Sequence, residues 1–127
     1  MKNPLYGLLI ANDPQMCFNV MTGTKRISIR EGHRDYQKGA VLIGNPDIAF
    51  IVTATITEVK HVLLSEVTAE EWIADGFISQ NDMLAKLREF YPSINLDSPV
   101  TILFWENVRG YWTTAAGIDF FKERFKS

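Results

Sequence analysis

The sequence has 127 residues, 46% of them hydrophobic and 22% charged, the profile of one folded domain with a single core rather than a disordered chain. A formal net charge of -2 excludes nucleic-acid binding through bulk charge, so any such binding falls to a local basic patch. The one cysteine, Cys17, cannot form an internal disulfide and fits a reducing, cytoplasmic setting.

Residues 5–10 form an apolar run that reads as a buried strand. Asn12-Asp13-Pro14 then cuts the run, leaving it too short for a membrane helix, and supplies a helix start: a capping side chain followed by proline, which lacks only an N–H that the first helical turn does not use. Cys17, Val20 and Met21 follow on one helical face, and Gly23 is placed to end the helix in the left-handed region. Between Met16 and Phe18, Cys17 reads as a small core side chain.

Lys25 to Arg30, KRISIR, alternates as a half-buried strand does. Ile27 and Ile29 share one face, and Arg26, Ser28 and Arg30 the other. A polar loop, EGHRDYQKG, leads to a short strand at Val41–Ile43 that stops at Gly44-Asn45-Pro46. From residue 49 to 64 the β-branched run AFIVTATITEVKHVLL reads as one long bent strand or two strands. In it Phe50, Val52, Ala54 and Ile56 face the core.

Thr68-Ala-Glu-Glu71 has capping-box spacing and predicts a short helix reaching Ala74. After Gly76, Ser79 caps a second helix whose stripe Met83, Leu84, Leu87, Phe90 and Tyr91 is assigned to the core, with Pro92 closing it. VTILFW, residues 100–105, is a strong strand. A final helix sets Ile118, Phe121 and Phe125 at helical spacing. The order β-α-β-β-β-(β)-α-α-β-α is unlike the regular alternation of a doubly wound sheet. It predicts an α+β domain, residues 1–127, built on a small mixed β-barrel with helices packed outside. With only His33 and His61 beside one cysteine, and no ligand spacing among them, neither a metal site nor a cofactor is expected.

Chemistry concentrates around KRISIR. Lys25, Arg26, Arg30, Arg34 and Lys38 bring five of the thirteen basic residues into fourteen positions, a patch suited to phosphate or simply a solvated strand face. Tyr111 and Trp112, after Arg109-Gly110, are candidates for an exposed stacking platform, whereas Trp105 belongs to the alternation of its strand.

Residues 23–30, GTKRISIR, match the G-x-K-x-x-[ST]-x-R signature of ASCH domains, relatives of the PUA RNA-binding domains. Lys38-Gly39, the IVTATITEV run, Asp75-Gly76-Phe77, Tyr91-Pro92 and VTILFW follow in the order found in that family. The chain therefore resembles an ASCH domain over residues 5–106. This resemblance implies a PUA-like barrel and a cleft for RNA or a modified nucleoside, with Gly23, Arg26 and Arg30 among the ligand contacts; no apolar stretch approaches a membrane span, and no obligate protein partner is inferable.

The chain is also similar to the bacterial N4-acetylcytidine amidohydrolases, small ASCH proteins that use a lysine, a threonine and a glutamate. Carried over, this implies Lys25 as base, Ser28 as nucleophile and Asp75 as the acid, with serine for threonine and the shorter acid for glutamate. The chemistry is coherent, because a hydroxyl nucleophile needs an adjacent base and cationic neighbours favour a neutral amine. It requires Lys25, which has the strand parity of Ile27, to belong to the turn before the strand. A ribonuclease and an interaction protein without catalysis are further readings; His33 and His61 read as loop or surface residues and give the first little support.

Overall fold

The computed structural model describes residues 4–5, 7–10, 13–45, 47 and 50–110, and within them the expected elements occur in chain order. After strand β1 (Gly7–Leu9), helix α1 (Pro14–Thr22) begins where the Asp13 carboxylate accepts the Gln15 N–H at 2.9 Å, with Pro14 in the first turn. It ends at Gly23, whose φ of 82° is open to glycine at little steric cost. Strands β2 (Ile27–Glu31), β3 (Gly39–Asn45) and β4 (Phe50–Leu63) follow, then a single 3-10 turn. Helix α2 (Ala69–Ala74) carries the expected capping box between Thr68 and Glu71, and α3 (Gln80–Phe90) starts at Ser79, whose hydroxyl accepts the Asp82 N–H at 2.9 Å. The last described element is strand β5 (Pro99–Arg109), longer than VTILFW alone.

The five strands make one mixed sheet in the order β1-β3-β4-β5-β2, curled into a half-barrel. Only the β1–β3 pairing is parallel; the other three are antiparallel. The β-branched run is one long strand, bent against β5 by register shifts between Thr53 and Thr55 and between Ile56 and Glu58. Among the described residues, edge strands β1 and β2 do not pair with each other, so the expected barrel is open there along one seam.

Two apolar clusters fill the curl. Phe50, Val52, Ala54 and Ile56 of β4 pack with Cys17 and Val20 of α1, while Ile27 and Ile29 of β2 pack with Met83 and Leu87 of α3. Strand β5 serves both, sending Val100 and Ile102 to the second cluster and Leu103 and Trp105 to the first. Cys17 is fully enclosed, and burial pushes its thiol up to about 11.

Two core assignments are corrected. Leu8 and Ile10 are buried but Leu9 is 68% exposed, because an edge strand covered on one face alternates even inside an all-apolar run. Phe90 is 56% exposed, because at that end of α3 Leu87 and Tyr91 are the side chains that pack on the second cluster and Phe90 is left to one side. The final helix lies outside the described residues. Among the described residues no helix is long and apolar enough to cross a membrane.

Candidate functional site

The open seam leaves a cleft of about 690 Å³ between α1 and the α2–α3 arm. Its floor is the start of β2. Backbone pairing explains which side chains reach it: the Arg26 N–H donates to the Ala74 carbonyl at 2.8 Å and its carbonyl accepts the Trp105 N–H at 3.1 Å. Regular strand begins only at Ile27, so Lys25 belongs to the turn and is released from the parity of the isoleucines. It is 4% exposed and lines the cleft together with Ser28, which is 6% exposed. Both faces of β2 are thus covered, by the second apolar cluster on one side and by the cleft on the other.

Asp75 enters from the C-terminal cap of α2 and forms a buried ion pair with Lys25 Nζ. Burial pushes the Asp75 carboxyl above the usual carboxylate range; the charge and hydrogen bond of Lys25, the charge of Arg30 and the Ile29 backbone pull the other way. Lys25 Nζ also lies 5.8 Å from the centroid of the Trp105 ring, a cation–π distance. Arg30 spans the seam: its Nε donates to Ser28 Oγ at 2.9 Å and an Nη to the Leu9 carbonyl of β1 at 2.7 Å.

The walls differ in character. Asp13, Gln15, Met16 and Asn19 of the α1 side face an arm that contributes Phe77, Lys86, Glu89, Phe90 and Tyr91. Sequence reasoning assigned none of these to the site. Asp75-Gly76-Phe77 and Tyr91-Pro92 stood out only as motif matches, and Phe90 carried the one usable signal, an apolar stripe extended to the last residue of its helix.

Lys25, Ser28, Arg30 and Asp75 therefore line one cleft. No hydrogen bond joins Lys25 to Ser28: the lysine is taken by Asp75, and the Ser28 oxygen accepts from Arg30. The other assigned residues that the structure describes lie away from the cleft lining. Arg26 is exposed and outside the cleft lining, since its backbone is held between α2 and β5 and its side chain points away. Gly23 caps α1 and does not line the cleft. The expected basic patch is dispersed. Arg34 donates to the Glu31 carbonyl at 2.9 Å and to the Tyr36 hydroxyl at 3.3 Å, and neither it nor Lys38 reaches the cleft.

Tyr111 and Trp112 lie outside the described residues. His33 and His61 meet on the surface with ring centroids 5.1 Å apart, each bound through Nε2 to a backbone carbonyl. Among the described residues no group of three or more His, Cys, Asp or Glu could hold a metal ion.

Solved structures place this architecture. An ASCH domain from Lactobacillus crispatus superposes with a TM-score of 0.65 at 16% identity, over 83% of this chain and 80% of that one. The fold is that of ASCH domains. A protein from Enterococcus faecalis gives 0.62 at 12% identity, over 85% of this chain and 78% of the other. A Tyr-to-Phe variant of the Zymomonas mobilis ASCH protein gives 0.56 at 12%, over 81% and 68%. No family model matches the sequence, and no curated protein matches it. At these identities the likeness bears on the ASCH fold alone.

Proposed function

We propose that the seam cleft of this ASCH fold recognises a nucleobase, in RNA or in a modified nucleoside. The observation that carries this reading is the Lys25–Asp75 ion pair, buried yet lining an open cleft. Withdrawing two charges from water costs several kcal/mol in effective terms, and pairing seldom returns more than that, so such a pair is a weak device for stability. Buried ionisable groups with shifted titration collect where ligands are bound or transformed. Here the pair offers a donor and an acceptor side by side, the pattern along the hydrogen-bonding edge of a base, and aromatic side chains stand on one wall.

The same residues support a second reading, hydrolysis of an N4-acylated cytidine. In that reaction Ser28 Oγ forms a bond to the acyl carbon and passes its proton to Lys25. The C–N bond then breaks, the amine leaves with a proton, and water releases the acyl group from Ser28. Convergence of Lys25, Ser28 and Asp75 on one cleft favours it. Lys25 is paired with Asp75 instead of Ser28, so before it can act as base the ammonium must give up a proton, with the Asp75 carboxylate as the adjacent acceptor, and then turn to Ser28.

One experiment separates the readings. The wild type and Ser28→Ala are titrated calorimetrically with cytidine, N4-acylated cytidines and a short single-stranded RNA, and the same mixtures are assayed for released acid. Recognition predicts saturable binding of at least one compound. Hydrolysis further predicts turnover that Ser28→Ala abolishes and Ser28→Thr keeps, because nucleophile and base act as a unit. A folded wild type that binds none of these compounds at millimolar concentration refutes both readings.

A further inference from the structure

The cleft walls carry information that the floor does not. Among the described residues, three acids line the cleft, Asp13, Asp75 and Glu89, against three bases, Lys25, Arg30 and Lys86. The lining is electrically balanced. The two most buried of these charges, Lys25 and Asp75, neutralise each other, and Lys86 lies 3.5 Å from Asp82, one turn earlier on α3. A site that gathers polyanions has one sign of charge and focuses its field on the ligand. This one does neither.

What the cleft offers in place of net charge is apolar surface. Phe90 continues the stripe of Met83 and Leu87 by one more helical step, yet it is 56% exposed while those two are buried. A single exposed apolar side chain on a convex surface needs no explanation. Phe90 differs because it lines a concavity, beside half-buried Phe77 and Tyr91, with Leu9 of β1, 68% exposed, lining the same cleft from the α1 side. The lining therefore combines an aromatic ring still open to solvent with a paired donor and acceptor at the floor. A flat molecule suits both, with one face against the ring and one polar edge toward Lys25 and Asp75.

We propose that Phe90 is the specificity-determining wall of the cleft and that the cleft selects an uncharged, flat heteroaromatic ligand over a phosphorylated one. This deepens the nucleobase reading and rests on it. It gives to Phe90 the stacking role that the sequence suggested for Tyr111 and Trp112, and it makes Arg30 a strap across the seam more than a phosphate anchor.

The test compares nucleosides with their 5′-monophosphates and with a short RNA at about 50 and about 300 mM salt, on the wild type, Phe90→Ala and Phe90→Trp. Nucleoside affinity should be insensitive to salt, fall on the order of tenfold in Phe90→Ala and stay within about threefold of wild type in Phe90→Trp, as stacking predicts. The monophosphate should bind no better than its nucleoside. Because Phe90 is more than half exposed, both variants should melt close to the wild type, so a loss reports on the cleft and not on folding. Tighter, strongly salt-dependent binding of the monophosphate or RNA overturns the selection for neutral ligands while leaving nucleobase recognition standing. Unchanged nucleoside affinity in Phe90→Ala overturns the role of Phe90. Absence of binding by every compound overturns this inference together with the reading beneath it.

Discussion

Replacing Lys25 by Met asks whether the buried ion pair serves the fold or the cleft. The two side chains are 5% and 4% exposed, so removing the ammonium leaves the Asp75 carboxyl enclosed without its main partner. Breaking a buried pair in this way costs about 3–5 kcal/mol. That is a large part of the ~5–15 kcal/mol by which a domain is stable. At roughly 4 °C per kcal/mol for a chain of this size, the melting temperature should drop by about 12–20 °C. Asp75→Leu strands the ammonium and should cost a similar amount. The double variant Lys25→Met/Asp75→Leu leaves no buried charge, and should return to within about 1 kcal/mol of the wild type or exceed it. Urea unfolding of the four proteins at neutral pH closes the double-mutant cycle. The double variant should also fail to bind the ligand that the wild type binds, despite its restored stability. Additive single losses, each below about 1 kcal/mol, would mean that the pair is neither buried nor coupled and would remove the central argument for the site.

Leu87→Ala, at a buried position of the second cluster, should cost about 2–5 kcal/mol in urea unfolding, and much less would mean that α3 is loosely packed. Glu71 gives a pH signature. Burial alone would raise its pKa, but Lys60 and the Thr68 cap outweigh that and hold it below the ordinary 4.5. Its stabilising contribution is thus present above pH 4.5 and lost as pH falls through the lowered value, so Glu71→Gln should flatten the acid limb of a stability–pH curve measured by thermal melts. The Cys17 thiol, fully enclosed and raised to about 11, should resist a thiol reagent until the protein unfolds; rapid labelling of native protein would contradict the packing of α1.

Local signals in the sequence translated directly into structure wherever one residue and its near neighbours decide the outcome. The Asp13-Pro14 start of α1, the Gly23 stop, the Thr68–Glu71 capping box and the alternation of Phe50 to Ile56 all depend on contacts a few positions apart, and all occur. The assignments that failed depend on where other elements end. Leu9 is exposed because no described element covers the outer face of β1, and Phe90 because Leu87 and Tyr91 take the cluster side of α3 at that end. Neither Lys25 nor Arg26 takes the orientation that strand parity would give it, since the Ala74 and Trp105 backbones fix residue 26 before the strand becomes regular. Charge counted along the chain likewise misled, because five cations within fourteen positions pass through a turn, a strand and a loop that point in different directions. The association of Lys25, Ser28 and Asp75 was accessible only through resemblance, since no periodicity links positions 25 and 75.

The seam has a practical consequence. Leu9 and Ile10 of the β1 side and Ser28 and Arg30 of β2 bring the two free edges of the sheet to one cleft, where Arg30 is a hydrogen-bonded tie between them. A molecule lodged there bridges two strands that, among the described residues, do not pair with each other. By mass action it must raise the melting temperature as its concentration exceeds its dissociation constant. The gain should also be local, slowing amide exchange in β1 and β2 more than in the central strands β4 and β5, which are already paired on both sides. A compound library can therefore be ranked by thermal shift and then filtered by edge-strand protection, which tests for a ligand of the cleft without presupposing its chemistry.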